Sequence, residues 1–156
     1  MIAFISTLSL LGSLYVGTII VVIIAESGVA ALIAWLLTTF NKPLAPHRLL
    51  PLYLWTLAGL MAHITEEYLC DFAGHMSQTF HIHLTQKIFV STFPLEGYVI
   101  WILGALAIYY KHPIGGWLAW FIFIGPGVAE FSHYLFPLIE GGPYHYFPGM
   151  YTAFYP

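Results

Sequence analysis

Four apolar stretches, each near the roughly 20 residues needed to cross a bilayer as a helix, occupy most of this chain, and its four basic residues, Lys42, Arg48, Lys87 and Lys111, all fall between them. Composition points the same way. With 60% hydrophobic and only 7% charged residues and a mean hydropathy of +0.82, the chain lies far from soluble domains, in which about a quarter of residues are charged. The sequence therefore predicts an all-α polytopic membrane protein, a single integral-membrane domain over residues 1–156, folded as an antiparallel bundle of four transmembrane helices. The spans are placed at about 8–39, 49–70, 88–110 and 116–137. Asn41-Lys42-Pro43 breaks the first, the second opens after Pro46-His47-Arg48 and closes near Asp71, Pro94 kinks the third, and Gly115-Gly116 and Pro137 bound the fourth.

Residues 72–86, with His75, His81 and His83, read as a polar loop, and an aromatic tail rich in Pro and Gly follows the fourth span. Met1 is followed by no basic segment or small-residue cleavage site, so the N-terminus reads as a retained first span. Lys42, Arg48 and Lys111 against Lys87 place both termini outside the cytoplasm. No basic patch suggests nucleic acid. The single Cys70 excludes an internal disulfide or a thiolate cluster, so a metal would be held by Glu and His.

Carboxylates are expensive in hydrocarbon and mark a partner or a function. Glu26, Glu66, Glu67, Glu96 and Glu130 nevertheless lie inside the apolar stretches. Glu26 stands 14 residues before position 40 and Glu96 14 before 110, while His63 stands 14 after 49 and Glu130 14 after 116. At about 1.5 Å per residue, all four spans then carry an ionisable group roughly 21 Å from one surface. Residues three or four apart share a helix face, which joins His63 to Glu66 and Glu67, and Glu130 to His133. Glu26, His63, Glu66, Glu96, Glu130 and His133 give the ligand count of two-metal carboxylate bundles. Two divalent ions would neutralise four carboxylates that otherwise repel, and mixed carboxylate and imidazole donors suit iron, manganese or zinc. Glu67, Tyr134 and His145 are candidates for supporting contacts.

The expected function is a di-metal enzyme, with iron the leading ion, that uses oxygen to hydroxylate or desaturate a lipid-like substrate. Glu66 and Glu130 would be the bridging, catalytic carboxylates, and electrons would come from a partner protein. Two other readings fit the same residues: a cofactor-free isomerase or cyclase working through buried glutamates, and a metal-binding or scaffolding subunit without chemistry of its own. Residue by residue, Glu26 and Glu96 also read as protonated hydrogen-bonding groups between helices, and the two His/Glu pairs as buried ion pairs.

At His63-Ile64-Thr65-Glu66-Glu67 the chain resembles the HXXEE domain of small membrane proteins, whose pattern continues with a further histidine, matched best by His133, and a Tyr-x-Pro-Gly motif, matched by Tyr146-Phe147-Pro148-Gly149. The resemblance spans roughly residues 60–150. It implies membrane residence and a role for these motifs, and no particular reaction.

Overall fold

The computed structural model describes residues 18–154, and every regular element among them is helical. Helix α1 (Thr18–Thr38) ends at the expected break; residues 8–17 of the first predicted span lie outside the described residues. Helix α2 (Pro46–Leu69) starts with proline in its first turn, where the missing N–H costs nothing. The predicted loop at 72–86 is instead largely a short helix, α3 (Phe72–Phe80), whose N-terminal N–H of Gly74 is accepted by the Asp71 side chain at 3.2 Å. Its polar residues concealed an amphipathic pattern in which Phe72, Ala73 and Met76 are buried.

The third predicted span is one helical run in three parts: α4 (Gln86–Val90), a π-helical segment (Ser91–Gly97) and α5 (Tyr98–Tyr109). Pro94 lies inside the π-helical segment. Proline cannot donate to the α-helical ladder, and the wider turn takes up the distortion that the sequence predicted as a kink. The fourth span begins as α6 (Ile114–Val128), tightens to a 3₁₀ helix (Ala129–Tyr134) and ends as α7 (Phe136–Glu140). Pro137 explains the tightening. In a continuous α-helix its ring would meet the carbonyl four residues back, that of His133.

Helix α6 is the hub of the packing, with α1, α2 and α5 all laid against it and α2 also against α5. Close approach there depends on small residues and indole donors. A Cβ on Gly116 would lie 2.7 Å from Trp35 Nε1, so only glycine lets α1 and α6 meet at that level. Trp117 Nε1 donates to the Gly28 carbonyl at 3.2 Å, and Trp120 Nε1 to Thr39 Oγ1 at 3.0 Å. Between α2 and α5, buried Tyr53 donates to the Trp101 carbonyl at 2.9 Å.

Two of the helical runs, Gln86–Tyr109 and Ile114–Glu140, are long and apolar enough to cross a membrane. The described part of α1 contributes a shorter apolar helix, Ile24–Thr38. Helix α2 has the length, but His47, Arg48, His63, Glu66 and Glu67 dilute its apolar character. The outside of the molecule is itself apolar: Leu37, Trp55, Leu69, Ile102 and Leu103 are all exposed.

Candidate metal centre

Four side chains converge where α2 meets the 3₁₀ helix. One ligand atom each from His63, Glu67, Glu130 and His133 lie within 4.8 Å of one another. Glu130 Oε2 is 3.1 Å from both His63 Nε2 and His133 Nε2, and Glu67 Oε1 is 3.8 Å and 3.5 Å from the same two nitrogens. Ligands bound at ~2.1 Å to one ion stand roughly 3–3.5 Å apart in tetrahedral or octahedral order, so the cluster has the span of a single cation site.

Local helix geometry produces this convergence. His63 and Glu67 are one α-helical turn apart, at i and i+4. In a 3₁₀ helix residues i and i+3 eclipse, which brings Glu130 and His133 into line. The rings of Phe72 and Phe136 lie 5.2 Å and 5.4 Å from that of His133, and both histidines are buried.

The tail fixes which ring nitrogen of each histidine carries the proton. His133 Nδ1 is 2.6 Å from the Pro148 carbonyl, which can only accept, so Nδ1–H donates. His63 Nδ1 is 3.1 Å from Thr152 Oγ1. That hydroxyl spends its own proton on Glu66 Oε2 at 2.5 Å and therefore accepts from His63 Nδ1–H. In the neutral imidazoles both Nε2 atoms are then lone-pair acceptors facing two carboxylates. Acceptors converging in this way call for a cation between them or for protons on the rings or the carboxyls, and an imidazole held through its far N–H is the usual support of a metal ligand.

Of the six ligands expected from sequence, three come together: His63, Glu130 and His133. Glu67, expected as a supporting residue, is the fourth member. Glu66 faces the tail instead. It accepts from Tyr146 O–H at 2.5 Å and Tyr151 N–H at 3.1 Å on one oxygen, and from Thr152 N–H at 2.8 Å and Thr152 O–H on the other. A carboxylate offers about four lone-pair positions, and these donors fill them, so Glu66 has none left to bridge metals. Glu26 and Glu96, placed at the level of the cluster by residue count, are exposed and stand outside it. Tyr134 donates to the Met150 carbonyl and so holds the tail. His145 pairs with Glu140 at 2.7 Å, away from the cluster; the Pro143 carbonyl and that carboxylate hold its pKa above the usual histidine value.

Thr152 escaped sequence reasoning, whereas Pro148 and Gly149 entered it only as part of the Tyr-x-Pro-Gly motif, with no particular contact assigned to them. Gly149 has φ +95°, and a Cβ there would lie 2.5 Å from His133 Cε1 and Nδ1 and 2.9 Å from His63 Cε1. The Tyr-x-Pro-Gly motif was the signal available, since Tyr146 reaches Glu66, Pro148 accepts from His133 and Gly149 lies against both rings. No protein family, curated protein or solved structure matches this chain.

Proposed function

We propose that this chain is an integral-membrane enzyme in which α1, α2 and the two long helical runs form a four-span bundle, and in which His63, Glu67, Glu130 and His133 bind one divalent cation. The observation that carries the reading is the forced orientation of both imidazoles, with Nδ1–H donated to the tail and bare Nε2 turned toward two carboxylates. The apolar exterior supports the membrane assignment: only 17% of the most apolar window of Gln86–Tyr109 is buried, whereas the core helix of a soluble protein would be covered. Glu67 and Glu130 would offset the charge of a divalent ion, a simpler balance than the two ions and four carboxylates expected from sequence.

When bound, such an ion supplies Lewis-acid chemistry if it is zinc and oxygen chemistry if it is iron, since two histidines and a carboxylate serve both. The chain's own residues do the rest. Thr152 and Pro148 orient the imidazoles, Phe72 and Phe136 exclude water, and the cavity beside Glu130 and His133 receives a lipid-soluble substrate. Oxidation of that substrate, with electrons from a partner protein, is the reaction we propose for an iron-loaded site.

Metal content per chain, measured on protein purified from membranes, tests the proposal. His63→Ala and His133→Ala should each remove most of the metal, whereas His47→Ala and His112→Ala, both at exposed positions outside the cluster, should leave it unchanged. Wild-type protein that is folded, metal-free and unable to take up iron, manganese or zinc would sink it. A second reading is favoured by the 3.1 Å Nε2 to Oε2 distances, which are also those of hydrogen bonds: two doubly protonated histidines donating to Glu130, in a cofactor-free acid-base isomerase. Activity that survives exhaustive chelation would select that reading.

A further inference from the structure

The cavity beside the cluster has a shape and a charge of its own. Its volume is about 360 Å³, within the ~300–1,000 Å³ of small-molecule sites. Glu67, Glu130 and His133 of the cluster line it, together with Phe93, Trp101 and Phe121. Among the described residues, helix α1 packs on α6, and α5 packs on α6 and α2, but α1 and α5 share no comparable contact. The cavity reaches into the space between them. Ile24 and Ser27 of α1 line it from one side, and Glu96 and Ile100 of the opposing run from the other. Ile24 and Ile100 are also exposed on the apolar exterior, so lining and outer surface are continuous there.

Charge narrows what can enter. Among the described residues, three carboxylates, Glu67, Glu96 and Glu130, line the cavity and no Lys or Arg does. One divalent cation in the cluster would offset two of them and leave Glu96. A carboxylate or phosphate on the ligand would therefore be repelled by Glu96, the one charge left uncompensated. An ammonium would have to leave water for apolar walls, which is costly without a close and well-bonded partner, and Glu96 stands exposed at the mouth. A neutral oxygen function meets neither obstacle.

We infer that the cavity takes a largely apolar molecule bearing a single uncharged oxygen function, a hydroxyl or a carbonyl, and that it enters from the bilayer through the gap between α1 and α5. This names the substrate class of the site proposed above and rests on the membrane reading of the chain. The polar end of the molecule reaches the cluster while its apolar body lies against Phe93, Trp101 and Phe121.

Photolabelling of the full chain in phosphatidylcholine nanodiscs at pH 8 tests this, with a dodecanol that carries a diazirine in its alkyl chain. Labelling should map to residues 92–101 and 121–129. Ile100→Trp, a substitution at the exposed rim, and Gly125→Leu, which fills the floor, should each reduce it at least fivefold, whereas Leu37→Trp, at a position 81% exposed and away from the cavity, should not. Dodecanol should compete at least tenfold better than dodecanoate or dodecylammonium at equal mole fraction in the bilayer. Glu96→Gln should narrow the deficit of dodecanoate. Labelling spread over the lipid-facing helices and unmoved by both cavity variants would overturn the inference, as would dodecanoate or dodecylammonium competing as well as dodecanol. Metal content of the same samples keeps the two proposals separate: metal-loaded protein that fails to label defeats only the cavity, and metal-free protein that labels as expected defeats only the metal centre.

Discussion

At the scale of single residues, the most informative side chain is Thr152, because it passes the influence of Glu66 to His63. It donates to one and accepts from the other. Thr152→Val keeps the shape and removes both bonds, which frees the His63 tautomer; loss of such a supporting contact typically costs 10–100-fold in metal affinity. We expect that loss by metal titration, with the helical circular dichroism spectrum retained. Gly149→Ala should act through sterics instead. A side chain at φ +95° is strained whatever surrounds it, and this one would press on both histidines. The left-handed backbone alone costs about 1–2 kcal/mol, so a lower melting temperature and lost metal should appear together; a variant that melts and binds like wild type would show that the tail does not seat against the rings. These residues also show what sequence could and could not reveal. Spacing found His63, Glu130 and His133, but Glu66 and Glu67 both share the face of His63, and nothing in the spacing selects between i+3 and i+4. Counting residues from the surface gives depth without direction, which is why Glu26 and Glu96 matched the level of the cluster yet lie outside it.

At the scale of elements, the tail is a strap held by Tyr134 and His133 and tied most heavily at the Glu66 carboxylate, by donors from Tyr146, Tyr151 and Thr152. Hydrogen bonds to a charged group contribute roughly 1.5–3 kcal/mol each. Glu66→Gln replaces one accepting oxygen with an NH₂ that faces donors, so the strap should loosen by about 2–4 kcal/mol. Limited proteolysis should then cut residues 143–152 at least tenfold faster in Glu66→Gln than in wild type. Glu67→Gln should leave the cleavage rate unchanged while lowering metal content, and equal proteolysis in the two variants would refute this division of labour. The helices were legible because long apolar runs bounded by Pro, Gly and charge leave few alternatives. The strap was not legible, since its hold comes from backbone N–H and C=O groups, which every sequence has. The 3₁₀ turn lay hidden for a related reason: Pro137 marks a break, but only the fold decides that the ladder tightens ahead of it.

At the scale of the whole molecule, two helical runs among the described residues have the length and apolarity to cross a membrane, and the four-span bundle we propose makes a sharper claim. In a Cys70→Ser background, single cysteines at positions 42 and 112 should react with an impermeant maleimide from one side of the membrane, and cysteines at 83 and 145 from the other. Reaction of 42 and 83 from the same side would remove α2 as a span. The strap adds a consequence for biogenesis. The four clustered side chains belong to α2 and the 3₁₀ helix, but the groups that orient both imidazoles, the Pro148 carbonyl and the Thr152 hydroxyl, come from a segment that follows both in the chain and so leaves the ribosome after them. The helices can insert and pack while this centre is still unformed, and it becomes competent only when the tail folds back. Ion capture by the proposed centre would thereby follow the packing of the helices, as a checkpoint that a chain lacking residues 145–156 would fail.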